Sequence, residues 1–377
     1  MRKVLIIGGT GLLSGAVASE AIRQGMDVTC INRGKHASVE GAHTIVSDKD
    51  DYERIEEKLR GLYFDAVVDF LVRRKEELQK SFEHFSNYTK QYVFISTTMV
   101  YNSSLDMLFD EDAPKVQSQW SYSVEKWECE ELLMKIAALS NCNYTIVRPG
   151  ITYDDTRIPY DIMPTYGKHG TLVARIKAGK PIIALNGGTY RCNMMRAEDF
   201  ARGVVGLLGV KEAYNEAYNV CGDECPSFKQ VLDVVASIIG VECKMVDVSA
   251  KEYAELVPSR QDDILGRSFN YVCSNKKIKT ICPTFSPQIP LEKGLKRVVE
   301  AYVNSNYQQG MDYEWDAQCD KVAKSKDVKT VHFIDYFGNA SLNDKMTYYR
   351  VCGNKFFLVL FKCIRKAQKI ISSLHKR

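Results

Sequence analysis

The chain has 377 residues, 45% hydrophobic and 26% charged, enough for two domains or one large α/β unit with additions. Its net charge of +4 hides nine Lys and Arg, with no Asp or Glu, between Lys345 and Arg377; subtracting those nine leaves the first 344 residues at −5, which speaks against nucleic acid bound on the folded body. Twelve cysteines lie without a Cys-x-x-Cys pair, and no histidine cluster accompanies Cys221 and Cys225, so reduced cytoplasmic thiols are expected rather than a metal site or a disulfide framework.

Met1-Arg2-Lys3-Val4-Leu5-Ile6-Ile7-Gly8 runs straight into a strand and a glycine loop, so no signal peptide is expected. Ala16 to Gly25 reads as a helix with Ala18, Ala21 and Ile22 on one face. Val28–Ile31, Thr44–Val46, Phe64–Asp69, Tyr92–Ser96 and Tyr144–Val147 follow as short β-rich runs, separated mostly by helical stretches. The alternation predicts an α/β fold: a Rossmann-type, doubly wound parallel sheet with a smaller C-terminal substrate lobe and a helical basic tail. Residues 1–150 form the dinucleotide-binding core, with later strands from about 182–222 added to it. Residues 151–307 are mainly the substrate lobe, and residues 308–377 a C-terminal extension. The cleft between the lobes is the expected substrate site.

Gly8-Gly9-Thr10-Gly11-Leu12-Leu13-Ser14-Gly15 lies between the first strand and the first helix. Glycines there let backbone approach a pyrophosphate, and the amides opening the helix can hold it. Ser14 stands where the usual spacing has a third glycine. The second strand ends Ile31-Asn32-Arg33-Gly34, without the carboxylate that NAD enzymes place there. Arg33 suits a 2′-phosphate, which favours NADP over NAD. Asp48 can accept from the adenine amino group, or cap a helix beginning near Asp50.

Tyr122 and Lys126 are four residues apart and share a helical face. A phenol beside a fixed ammonium has its anion favoured, so it can move a proton to or from an alcohol. Upstream stands Ser96-Thr97-Thr98-Met99-Val100-Tyr101. A strand-end hydroxyl followed by Tyr-x-x-x-Lys resembles the short-chain dehydrogenase/reductase superfamily, and more closely its extended branch, the NAD-dependent epimerase/dehydratase family. Val100-Tyr101, Val147-Arg148-Pro149-Gly150, Glu198-Asp199-Phe200-Ala201, Ala217-Tyr218-Asn219-Val220 and Ser274-Asn275-Lys276 also resemble that family's segments, over about Met1 to Tyr307.

The resemblance implies Thr97 as the hydroxyl that donates to the substrate oxygen, Tyr122 as acid/base, and Lys126 as the group that lowers the Tyr122 pKa and holds the nicotinamide ribose. It implies cofactor contacts from Gly8, Thr10, Gly11, Leu12, Leu13, Asn32, Arg33, Asp48 and Phe70, and Thr98 near the substrate. It implies a nucleotide-sugar substrate and a homodimer. A 4,6-dehydratase of the family would carry Asp-Glu directly after Thr97; Thr98 and Met99 stand there, which disfavours dehydration and leaves epimerisation or ketone reduction. Arg260 is a candidate clamp on a substrate diphosphate. Arg191 is similarly displaced from the family position, and His169 reads as a loop residue. The competing class is a non-enzymatic NADP-binding sensor or RNA-binding protein.

Residues 356–374 place Phe357, Leu360, Ile364, Ala367, Ile371 and Leu374 at helical spacing, with Lys362, Arg365, Lys366 and Lys369 towards the other face. Such a basic amphipathic helix can lie on an anionic membrane or dock on its own domain or a dimer partner.

Overall fold

The computed structural model describes residues 1–116, 120–306, 310–330 and 340–374, with side chains in the last helix as far as Gln368. Tyr307 and the side chains of Lys369, Ile371 and Leu374 lie outside the described residues. In chain order the described strands are β1 (Lys3–Ile7), β2 (Asp27–Asn32), β3 (His43–Val46), β4 (Ala66–Asp69), β5 (Gln91–Ile95), β6 (Asn143–Pro149), β7 (Ile151–Tyr153), β8 (Ile182–Leu185), β9 (Met194–Arg196), β10 (Glu216–Val220) and β11 (Met245–Val248). The helices are α1 (Leu12–Arg23), α2 (Tyr52–Leu59), α3 (Lys75–Phe85), α4 (Ser121–Ala137), α5 (Gly170–Lys177), α6 (Ala197–Leu207), α7 (Phe228–Ile239), α8 (Ala250–Leu256), α9 (Gln261–Arg267), α10 (Lys276–Ile281), α11 (Leu291–Asn304), α12 (Tyr313–Ser325), α13 (Leu342–Val351) and α14 (Lys355–Leu374).

The chain divides into two compact units. The first comprises residues 1–154, 191–226 and 269–294. Its seven-stranded sheet has the order β10-β6-β5-β4-β1-β2-β3, with every pairing parallel. This is the predicted doubly wound sheet, and its order reverses between β1 and β4. Val4, Ile6, Val28 and Cys30 face Val17, Ala18 and Ala21 of α1 and Phe200, Ala201 and Val204 of α6. Leu5, Ile7 and Ile31 face the other way, towards Ile55 of α2, Leu78 and Phe82 of α3, and Cys129 and Leu133 of α4. Central strands are therefore apolar on both faces, which is why they read as unbroken runs. Each fully buried Val, Leu or Ile contributes about 1.5–3 kcal/mol relative to exposure.

The second unit comprises residues 155–190, 227–268 and 295–377. Here the expected domain boundaries shift. Of the strands from about 182–222, only β10 joins the large sheet; β8 pairs with β11 in the second unit, and β9 pairs with β7 in the first. A four-residue apolar run such as Ile182–Leu185 suits any buried sheet, so its pattern could not choose between them. Nor do the described residues after 309 form a separate extension. Asp316 and Asp320 of α12 are buried against Arg175 of α5 and Lys180, at 2.5–3.0 Å. The Tyr348 hydroxyl then donates to Asp320 at 2.5 Å, tying α13 to the same cluster.

Candidate active site

The loop after β1 is built for close backbone packing. Gly8 has φ +101°, and a Cβ there would lie 2.8 Å from the Leu71 side chain; one on Gly9 would lie 2.5 Å from the Cys30 sulfur. Ser14, at the position where a glycine was expected, has its own job. Its hydroxyl donates to the Gly8 carbonyl at 2.7 Å and accepts from the Gly11 amide at 2.9 Å, bracing the turn. The residue before α1 is Gly11, which brings no side-chain cap, so the amides of Leu12 and Leu13 open the helix unpartnered by a side chain. Thr10 lies inside the turn, its amide donating to Gly8 O at 2.6 Å.

At the end of β2, Asn32 is buried and its Oδ1 accepts from the Gly34 amide at 2.8 Å. Its Nδ2 is buried with no hydrogen-bond partner, as is the Ser47 hydroxyl beyond β3. Two orphaned polar atoms at neighbouring strand ends are what an adenosine ribose would satisfy, so this end of the sheet fits a dinucleotide. Arg33 is exposed beside them. Asp48 does not cap α2: its carboxylate accepts from the Asp50 amide in a local turn, and Asp51 caps the helix by accepting from the Arg54 amide. The helix starts two residues later than Asp50, which moves the cap from Asp48 to Asp51. Phe70 follows β4 half-buried, its amide donating to Ile7 O at 3.2 Å.

Beyond β4 the buried Asp69 fixes the next turn. One carboxylate oxygen accepts from the amides of Leu71 (2.8 Å) and Val72 (3.3 Å); the other accepts from Ser81 Oγ and Tyr92 OH. The Val72 carbonyl, thus placed, accepts from Lys126 Nζ at 2.7 Å, and Ile95 O of β5 accepts from the same nitrogen at 2.8 Å. Lys126 is buried, and the Phe94 ring lies 4.7 Å from its ammonium. Burial pulls its pKa down to about 8. Thr97, two residues past β5, is buried and accepts the Met99 amide at 3.2 Å, which leaves its own proton free to donate. Thr98 is buried too. Tyr122, in the first turn of α4, packs its ring 5.0 Å from that of Trp120.

Behind these residues runs a buried polar network that the sequence did not reveal. Ser96 Oγ donates to Glu130 at 2.5 Å, and Arg148 clamps the same carboxylate with its Nε and one terminal nitrogen at 2.6–3.2 Å. Arg148 also donates to Tyr101 OH (2.9 Å) and Glu111 O (3.0 Å); Tyr101 donates to Asn219, whose amide N–H donates to the Glu111 carboxylate. Burial opposes the Arg148 charge, yet Glu130 and Tyr101 hold its pKa above the ordinary value. The Val-Tyr, Arg-Pro, Asn-Val and Ser-x-Lys segments thus meet, with Asn219 Nδ2 closing on Ser274 O at 3.2 Å. Glu130 carried one signal: it stands four residues after Lys126 on a face otherwise made of Cys129, Leu133 and Ala137.

Arg260 lies in the second unit, donating to Met163 O (2.9 Å) and Asp263 (2.6 Å). With Arg157, Arg267 and His169 it lines a cavity of about 580 Å³ within that unit. His169 is buried at the start of α5, its Nδ1 accepting from the Ile158 amide; burial, then Arg157, push its pKa down to about 3. It is a neutral structural group. Arg191, exposed in the first unit, donates to Cys225 O at 3.0 Å.

A model of the NAD dependent epimerase/dehydratase family matches residues 4–221. The chain belongs to that family. It is accordingly an enzyme of the short-chain dehydrogenase/reductase superfamily. It is 27% identical over 271 residues, 67% of either chain, to the chloroplast stem-loop binding protein of 41 kDa b of Arabidopsis thaliana. It is 21% identical over 331 residues, 80% of this chain and 88% of the relative, to the dTDP-D-glucose 4,6-dehydratase of Mus musculus. Among solved structures, the UDP-glucuronic acid 4-epimerase of Bacillus cereus, crystallised with UDP-glucuronic acid and NAD, superposes with a TM-score of 0.64 at 17% identity, covering 81% of this chain and all of that one. The epimerase Mth375 of Methanothermobacter thermautotrophicus gives 0.67 at 15% identity, covering 82% and 94%.

Proposed function

We propose that this family member is a nucleotide-sugar epimerase that oxidises and re-reduces one carbinol carbon without net consumption of cofactor. The observation that carries the reading is Lys126: a buried ammonium one helical turn from Tyr122, held by the carbonyls of Val72, in the turn after β4, and of Ile95, which ends β5 two residues before Thr97. Two of its three donors are spent on carbonyls, and the third is left for a ribose hydroxyl or the phenol. Tyr122 takes the hydroxyl proton and later returns it, while Thr97 donates to the same oxygen. When bound, the nicotinamide accepts and returns the hydride. Arg260 is the proposed diphosphate clamp.

Thr98 and Met99 after Thr97 supply no acid to expel a hydroxyl, which favours epimerisation over the reaction named for the dehydratase relatives. A ketoreductase would use the same residues but consume cofactor. The stem-loop-binding relative raises RNA as a ligand, but the body's net charge of −5 works against phosphate backbone.

Incubation with a panel of UDP- and dTDP-sugars, followed by NMR, is expected to yield an epimer with no net change in cofactor redox state; dehydrated product would overturn the reading. We assign NADP as the preferred dinucleotide, on the exposed guanidinium of Arg33 beside the orphaned Asn32 amide. Arg33→Ala is expected to weaken NADPH roughly tenfold, the value of one charge-assisted hydrogen bond, and to leave NADH unchanged in fluorescence titration.

A further inference from the structure

We propose that α14 is a docking face for an anionic lipid surface, independent of the reaction catalysed elsewhere. The helix is fixed at its start: Tyr349 of α13 stacks on Phe357 and Phe361 at 4.7 and 5.6 Å, and α13 is itself anchored through Tyr348 to Asp320. That contact uses one side only. A second apolar row remains in water, with Phe356 72%, Val359 58%, Leu360 42% and Ile364 38% exposed. Their spacing of three, one and four residues places them on one stripe. Cys363, the one exposed cysteine of the twelve, lies in the same stripe. Large apolar side chains in an unbroken exposed row mark an interaction surface.

Charge decides the occupant. Lys355, Lys362, Arg365 and Lys366 are exposed beside or opposite the stripe, and no acid occurs from Lys345 to the end of the chain. Pairing α14 with a second copy of itself would set its exposed Lys355, Lys362, Arg365 and Lys366 against the same four. A continuous anionic surface accepts all of them while the stripe enters the headgroup boundary. No helix among the described residues is long and apolar enough to cross a membrane, so the contact is a helix lying in the surface plane.

The test is co-sedimentation of the full chain with phosphatidylcholine vesicles, with and without phosphatidylserine, alongside sizing of the free protein. The wild type is expected to pellet with the anionic vesicles, and salt to weaken it. Phe356→Glu with Leu360→Glu is expected to abolish pelleting with turnover and oligomeric size unchanged. Lys362→Glu with Lys366→Glu is expected to lower partitioning by at least roughly twentyfold, from about fivefold per basic residue. Equal behaviour towards neutral and anionic vesicles, binding that survives the apolar pair of substitutions, or an oligomer that dissociates with that pair would each overturn the proposal.

Discussion

Tyr122→Phe is expected to lower turnover by roughly 10²–10⁴-fold, the usual worth of a positioned acid/base group, with little effect on cofactor affinity. The substitution removes one hydroxyl and keeps the ring that packs on Trp120. Lys126 is held by the Val72 and Ile95 carbonyls, so it stays in place without the phenol. Equilibrium cofactor binding and steady-state kinetics on the same preparation separate the two effects. Unchanged turnover would remove Tyr122 from the mechanism. The pH dependence adds a second reading. With its pKa at about 8, Lys126 is charged below that pH and neutral above it. The electrostatic help it gives a phenolate therefore fades as pH rises through about 8, and turnover should fall there. Stability moves the other way. The unfolded chain keeps the lysine protonated up to its ordinary value of 10.5, so between about 8 and 10.5 it binds more protons than the folded chain, and stability contributed by this group rises with pH. Lys126→Met should flatten both limbs.

Arg148→Ala is expected to cost about 3–5 kcal/mol, because it leaves the Glu130 carboxylate buried without its counter-ion. At roughly 2–4 °C per kcal/mol, thermal unfolding should shift down by on the order of 10 °C. Arg148→Met combined with Glu130→Leu removes both charges and should recover much of that loss, since apolar replacement of a buried pair is often neutral or better. Activity should not recover with it. Ser96 loses its acceptor on α4 in the double variant, and Thr97 is the next residue in the chain. If melting temperature and turnover recover together, the network is purely structural and does not position Thr97. Ser96→Ala gives the milder case, breaking the bond to Glu130 while Arg148 remains paired.

The parts of this protein that could be read in advance are those encoded over short distances. Val4 to Ile7 and the glycine loop announce a strand and a turn within a dozen residues, and Tyr122 and Lys126 announce a shared helical face. Longer separations hid the rest. Ser96 and Glu130 are 34 residues apart, Arg175 and Asp316 are 141, and neither bond leaves a local pattern. Strand β8 shows the same limit for the backbone: Ile182–Leu185 was legible as a strand, but its partner Met245–Val248 was not. Family resemblance brought Arg148 and Asn219 to attention as motif residues, and the structure gave them a reason by joining them through Tyr101. Ser14 shows how a departure from a pattern can be compensated, since its hydroxyl supplies bonds that a glycine could not.

The proposed epimerisation needs a hydride that leaves the substrate and comes back. Mass spectrometry of the dinucleotide retained through purification, followed by quantification after incubation with the accepted nucleotide sugar, tests it most directly. One tightly held dinucleotide per chain is expected, its total and its redox state unchanged once the epimer has formed. A site that purifies empty and oxidises NADPH in step with product would contradict it and identify a reductase.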